Sequence, residues 1–495
     1  MSSPNPAAAF FSRCRFSSGG LLAVAALFAA GCASMAPPYE TPPLPVAERY
    51  PPDVPAASQA GARAAAVGWR DYFSDPHLQQ LIAQALENNR DLRIAILNVQ
   101  EARALYGIQR ADSWPTVGLG VDAERSRVPA DLSFTGAPLV ANQFQVGLGT
   151  NAWELDFWGR VRSLQDAALQ GYLATDAGRR AATLLLVAQV ADSYLTLRSL
   201  DERVLLAQRT IATREESLRI FTRRFEVGST SKFDLTQMRT LLDQALALNV
   251  QLQRARAEQA HALTRLVGAP VDLAPSEGRL DEPGLEPTLR AGLPSDLLAD
   301  RPDIAAAEHQ LRAAGANIGA ARAAFFPRIT LTANLGTASA ELDGLFASGS
   351  QAWSFAPSLT LPIFDAGRRR STLELTEVRR DIAVADYEKT VQTAFREVSD
   401  ALSAREWLAR QVQIQQSTLA TQSERARLAN LRYRNGATAF LEVLDAQRDL
   451  LDVEQQLVQS RRALLSAGVS LYAALGGGSQ ELTPAPTPVI VRQAP

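Results

Sequence analysis

Few residues of this sequence are spaced for bond-making chemistry. Its three histidines, His77, His261 and His309, stand apart from one another and from both cysteines, and no neighbouring carboxylate completes a metal-ligand spacing. Gly476-Gly477-Gly478 lies near the C-terminus, not between a strand and a helix where a phosphate-binding loop would sit. No nucleophile, base and orienter can be grouped, so no catalytic residue, metal site or soluble cofactor is assigned, and the sequence argues against an enzyme. Two features remain. One is a cysteine at the end of an apolar leader; the other is a set of charged residues just beyond glycines that end long helical runs.

Arg13 and Arg15 precede an apolar stretch from Leu21 to Ala30 that is too short to span a bilayer permanently, so residues 1–31 are read as a cleaved export signal. The stretch ends Phe28-Ala29-Ala30-Gly31-Cys32, which resembles the lipobox at which bacterial lipoproteins are cut and acylated on the new N-terminal cysteine; Ala29 stands where Leu is usual. Ala33 follows, not the Asp that retains lipoproteins in the inner membrane, so the resemblance implies a covalent lipid on Cys32 and outer-membrane sorting. Cys14 lies inside the leader, so the mature chain can form no internal disulfide.

Gly228 and Gly436 each end a long run without proline, where a left-handed residue lets the chain reverse. Ser231 with Asp234 three residues on has capping-box form for the returning helix. Asp234, Glu442 and Asp445 fall in the first turns beyond these glycines, where carboxylates favour the positive end of the helix dipole. Asp445 is also spaced to pair with Arg448.

The chain that positions these residues is written twice. Its 495 residues carry 50 basic and 52 acidic groups, so no bulk field draws it to nucleic acid. Long runs of Ala, Leu, Gln, Arg and Glu are the composition of long helices and coiled coils. Residues about 210 positions apart match in order: Asp91-Leu92 with Asp303-Ile304, Trp114-Pro115 with Phe326-Pro327, and Gly159-Arg160 with Gly367-Arg368. Arg224, Phe225, Gly228, Thr230 and Asp234 likewise match Arg432, Tyr433, Gly436, Thr438 and Glu442. The duplication predicts a first repeat over 71–269 and a second over 283–475, after a Pro- and Ala-rich linker over 32–70 and before a flexible tail over 476–495.

Each repeat is predicted as helix, strand, strand, helix. The opening helices run from Leu78 to Ala111 and from Ile304 to Ala324, closed by Pro115 and Pro327. Strands follow at about 115–128 and 142–155, then at about 327–337 and 352–362, each alternating apolar and polar residues. Trp153, Trp158 and Trp353 at strand ends suit the aromatic girdle of a membrane barrel. Four strands cannot close one, since the smallest single-chain barrels need about eight, so a membrane reading forces oligomerisation. From Gly159 to Val227 a proline-free helix would reach roughly 100 Å. Its heptad seam passes through Leu197, Val204, Ile211, Leu218 and Phe225, echoed by Val412, Leu419, Ala426 and Tyr433.

Two membrane-type hairpins, two rods and a lipobox in one duplicated chain resemble the outer membrane factor family, the TolC-like channels, and within it the NodT branch of efflux lipoproteins serving resistance-nodulation-division (RND) pumps. The resemblance runs from Cys32 to about Gly476. It is carried by Arg224-Phe225-Glu226-Val227-Gly228, by Arg432-Tyr433-Arg434-Asn435-Gly436, and by Leu441-Glu442-Val443-Leu444-Asp445-Ala446-Gln447-Arg448. It implies a mainly α protomer with a small membrane β part, three copies forming a 12-stranded β-barrel continued by a 12-helix periplasmic α-barrel. Implied partners are a periplasmic adaptor, an inner-membrane RND transporter and outer-membrane lipid, in a Gram-negative outer membrane.

The resemblance places Leu441, Asp445 and Arg448, with Glu442 and Asp234, at a narrow periplasmic aperture, where a trimer sets acids in rings. It places Gly228, Ser229, Thr230, Gly436, Ala437 and Thr438 on tips met by the adaptor. The implied function is an exit duct for small molecules such as drugs or other toxic compounds. Type I protein secretion is the alternative within the channel class, and a lipid-anchored periplasmic coiled-coil scaffold the alternative outside it. In the first repeat, Phe233, Gln237 and Thr240 stand where the second has Leu441, Asp445 and Arg448. The second tip is therefore predicted to dominate opening.

Overall fold

The structure, a computed structural model, describes residues 34–47, 50, 61–276, 278–280, 285, 289–290, 292 and 295–481; the leader and Cys32 lie outside them. In chain order its elements are β1 (Ala62–Arg63), α1 (Trp69–Tyr72), α2 (Pro76–Asn88), α3 (Arg90–Ala111), β2 (Gly118–Val128), β3 (Leu139–Glu154), α4 (Arg160–Glu226) and α5 (Lys232–Val267). The second half continues with β4 (Leu289–Arg290), α6 (Asp296–Asp300), α7 (Pro302–Ala323), β5 (Arg328–Ser339), β6 (Gln351–Thr360), α8 (Arg368–Arg434) and α9 (Phe440–Ala474). Both rods, α4 and α8, contain 67 residues. The described residues fall into two units, those within Met1–Glu40, Arg103–Gly171 and Leu311–Ile382 in one and those within Thr41–Ala102, Tyr172–Gln310 and Ala383–Pro495 in the other.

The first unit is built on a four-stranded antiparallel sheet in the order β2-β3-β5-β6. Directly opposed residues share a face. The row Leu119, Leu148, Leu335 and Trp353 therefore lies on one face, as do the neighbouring rows through Val121 and Val146 and through Ala333 and Phe355. The other face carries Asp122 opposite Gln145, Glu124 opposite Gln143, and Asn334 opposite Ser354. Strand β3 begins at Leu139, ahead of the expected 142, because Leu139 and Val140 extend the ladder opposite Val128 and Arg127. A bulge between Thr150 and Trp153 lets β3 keep pairing with β5 past the register change.

At the base of the sheet Glu154 receives Arg160 at 2.7 Å and Arg328 at 2.7 Å. Backbone N–H groups entering the rods are satisfied by carboxylates: Arg162 N donates to Asp156 at 2.8 Å and Arg369 N to Asp365 at 3.2 Å. The segment from Ser34 lies on this unit. Ser34 Oγ is 3.1 Å from the buried Ser163 Oγ, and the Arg312 guanidinium stands 4.5 Å above the Tyr39 ring.

The second unit holds the main core, with Tyr72, Phe73, Ile82, Tyr194, Leu263, Tyr387 and Tyr472 all buried. Tyr72 stacks on Tyr472 at 4.4 Å, and each hydroxyl donates 2.9 Å to a backbone carbonyl, Gly468 and Val67 respectively. Three expectations are corrected here. The helix from Leu78 to Ala111 is broken at Asn89, whose amide donates to Leu266 O at 2.7 Å while its Oδ1 accepts from Leu92 N at 2.8 Å, capping α3. The heptad seam fails at its last position: Phe225 is 41% exposed and Phe221 only 4%. A straight helix drifts by about 20° per heptad, so after several heptads the neighbouring turn faces the partner.

The third correction concerns residues Gly476 to Glu481, expected within a flexible tail. They turn back onto the core, Gly478 N donating to Ala64 O at 2.9 Å and Gln480 N to Ala65 O at 3.1 Å. A Cβ at Gly477 would enter the Tyr472 ring. Gly477→Leu is expected to destabilise the protein by about 1–3 kcal/mol through overpacking, lowering the thermal unfolding midpoint by a few degrees in calorimetry. An unchanged midpoint would mean the turn is not held in solution.

Candidate functional site

The rods end as their glycines require. Gly228 has φ 75° and Gly436 φ 70°, and in both copies the chain closes the same paired turn. Gly228 N donates to Phe225 O at 3.0 Å and Ser229 N to Arg224 O at 2.8 Å; Gly436 N donates to Tyr433 O and Ala437 N to Arg432 O, both at 2.9 Å. The two tips are pinned together. Phe221, Met238 and Leu444 form one buried cluster, Phe440 packs on Phe221 at 4.5 Å and on Tyr433 at 4.7 Å, and Arg224 donates to the Tyr433 hydroxyl.

The returning helices begin differently. Ser231 and Asp234 form a capping box, Asp234 N donating to Ser231 Oγ at 3.0 Å, while Thr230 Oγ1 also donates to Asp234 at 3.1 Å. The Ser231 and then the Thr230 hydroxyl hold the Asp234 carboxyl below the usual carboxylate range. This acid is occupied by the turn. In the second copy Ala439 offers no side-chain cap, and Glu442 instead accepts from Thr438 and pairs with Arg432 at 2.7 Å.

One turn further in, Asp445 and Arg448 approach at 3.5 Å, as their spacing implies, and Leu441 is 49% exposed. Sequence reading missed three residues that complete this cluster. Arg448 also reaches Asp449 at 3.4 Å, and Asp449 is pulled across to α8 by Arg425 at 2.6 Å. Arg425, then Arg448, hold the Asp449 carboxyl below its ordinary value. Arg214 on α4 is 4% exposed, and its Nη1 lacks a hydrogen-bond partner among the described residues. Burial first, then the Arg448 charge, depresses the pKa of this guanidinium. Asp449 and Arg425 could have been sought as charges one or two turns beyond Asp445 and on the preceding rod, but only the hairpin register joins them.

The sign of the pH dependence follows. A depressed carboxylate stabilises its tie above the unfolded value, about 3.9 for Asp, and loses it as pH falls through the lower folded value. Bilayer conductance is therefore expected to hold steady from pH 7 to 5 and to change only below about pH 3.9. A rise already between pH 7 and 5 would exclude Asp449 and Asp234 as the titrating ties.

The comparison that decides the family is a match over both repeats. A model of the family described as outer membrane efflux protein matches residues 81–269 and 293–477. The chain belongs to the outer membrane efflux protein family. It is 46% identical to the toluene efflux pump outer membrane protein TtgC of Pseudomonas putida over 93% of this chain and 96% of that one. Among solved structures it is similar to a membrane protein from Pseudomonas aeruginosa, at 42% identity and TM-score 0.85 over 90% of this chain and 98% of that one. It is also similar to the open state of the Neisseria gonorrhoeae MtrE outer membrane channel, at 40% identity and TM-score 0.81 over 90% of this chain and 99% of that one.

As an outer membrane efflux protein, this chain is a transport-channel subunit of the outer membrane with a large periplasmic portion. The two matched stretches fall on the two repeats, one on each. Its members act as trimers with an adaptor and an inner-membrane transporter.

Proposed function

We propose that three copies of this chain form the outer-membrane exit duct of a tripartite efflux system, receiving small toxic molecules from an inner-membrane RND transporter through a periplasmic adaptor. The observation that carries this reading is the sorted sheet. Leu119, Val121, Leu148, Leu335, Trp353 and Phe355 share one face and are each more than half exposed, while Asp122, Glu124, Gln143, Gln145 and Asn334 share the other. Among the described residues the outer strands β2 and β6 are also each paired on one side only. In hydrocarbon every backbone donor and acceptor must be paired, so β2 of one copy takes β6 of the next, and three copies make a closed twelve-stranded barrel with the apolar face toward lipid.

A soluble scaffold would bury that face against a helix, and among the described residues these side chains stand open. Apolar small molecules are the cargo class we favour, since TtgC is named for toluene efflux. At the tips, Asp445 and Arg448, backed by Asp449 and Leu441, are the proposed gate; Gly228, Ser229, Thr230, Gly436, Ala437 and Thr438 are the proposed adaptor contact. Cys32 is the proposed lipid anchor, supported by the docking of Ser34 and Tyr39 beside the base of the sheet.

Purified full-length protein is expected to run as a heat-modifiable trimer in detergent and to form channels in planar bilayers. A monomer without conductance overturns the reading. Mass spectrometry of the mature N-terminal peptide should show an acylated Cys32; an unmodified cysteine would remove the anchor.

A further inference from the structure

The far rim of the sheet carries charges that transport does not use. On its apolar face β2 runs Leu119, Val121, Ala123 and then Arg125 and Arg127, with Arg125 opposite Asn142 and Arg127 opposite Val140. Both arginines are exposed, and among the described residues neither has an ion-pair partner. Across the paired positions of all four strands they are the only charged side chains on that face. The acids Asp122 and Glu124 lie on the opposite face, and Glu154 is engaged with Arg160 and Arg328 at the other end of the sheet.

The position of the pair decides what it meets. Arg125 and Arg127 stand next to the β2–β3 turn, at the end of the sheet away from α3 and α7, which is the outward end of an exit duct. A cation on a lipid-facing strand is unfavourable at the bilayer midplane and tolerated at an interface. Two same-face residues on a strand are about 7 Å apart, close enough to hold one phosphate between them or to take two neighbouring phosphates. A guanidinium fork matches phosphate oxygens bidentately.

We propose that Arg125 and Arg127 form a binding site for the phosphate groups of a phosphorylated glycolipid in the outer leaflet, whose acyl chains lie along Val121, Ala123 and Phe144. This rests on the exit-duct reading, because it needs the apolar face to meet lipid.

The test titrates purified full-length trimer with diphosphorylated lipid A and reads bound lipid by native mass spectrometry. Arg125→Gln/Arg127→Gln is expected to weaken binding at least about tenfold. Arg125→Lys/Arg127→Lys should keep part of the affinity, since charge remains without the fork. Asp122→Asn/Glu124→Gln, on the opposite face, should bind as the wild type does. Equal binding by the wild type and the Gln variant, or equal binding of dephosphorylated lipid, overturns the site. Should the double Gln variant not assemble, the single variants read each arginine separately. Conductance of the wild-type trimer separates the two readings: a silent wild type overturns the duct, and a conducting one indifferent to phosphate overturns only this site.

Discussion

Arg448→Ala is expected to raise single-channel conductance roughly threefold in planar bilayers, and Asp445→Ala to raise it less. The asymmetry follows from the contacts. Arg448 bridges two acids, Asp445 at 3.5 Å and Asp449 at 3.4 Å, so removing Asp445 leaves the arginine on Asp449, while removing Arg448 frees Asp445 and cuts it off from Asp449, which stays on Arg425 at 2.6 Å. The side chains of Arg448 and Asp445 are 56% and 42% exposed, so a single pair contributes at most about 1 kcal/mol. A trimer repeats it three times around one aperture, and that repetition makes a weak pair able to hold a gate. The double variant should conduct about as well as Arg448→Ala alone, because both changes release the same latch. Conductance unchanged in all three variants would remove these residues from the gate.

Leu148→Arg is expected to block assembly, while Gln145→Arg, three residues away, should assemble and shift ion selectivity. Leu148 lies in the row with Leu119 and Leu335 on the apolar face, and Gln145 lies opposite Asp122 on the polar one. An arginine facing lipid near the midplane costs about 2–4 kcal/mol per protomer, whereas one facing a water-filled lumen keeps its hydration. Heat-modifiability on gels reads assembly, and reversal potentials in a salt gradient read selectivity. If Leu148→Arg assembles normally and Gln145→Arg does not, the faces are assigned the wrong way round.

The sheet and the tips were legible because each rests on a local rule. Alternation with period two marks strand faces at Ile329 to Leu335, and glycine at 228 and 436 marks the reversals whatever surrounds them. What stayed hidden depends on distant partners. Asn89 looks like a polar position on one long helix until the Leu266 carbonyl, 177 residues away, is beside it. Phe221 and Phe225 are both good core residues one turn apart, and the accumulated drift between helix and heptad chooses between them. Gly476-Gly477-Gly478 reads as a loose tail; its smallness instead lets the backbone lie against Tyr472. At the proposed gate, spacing gave the pairing of Asp445 with Arg448 and resemblance gave its place, but Asp449 needed Arg425 from the preceding rod, and Arg214 needed the packing that buries it.

The open edges of β2 and β6 reach into genetics. A duct assembled edge to edge around a ring has no spare subunit, so a protomer that pairs well but gates badly is not bypassed by its neighbours. In a cell making normal and defective chains equally, only roughly one trimer in eight would be built wholly of normal chains. Alleles altered at the tips should therefore be dominant, leaking or jamming most ducts. Alleles altered at β2 or β6 should be recessive, because a chain that cannot offer its edge never joins the ring.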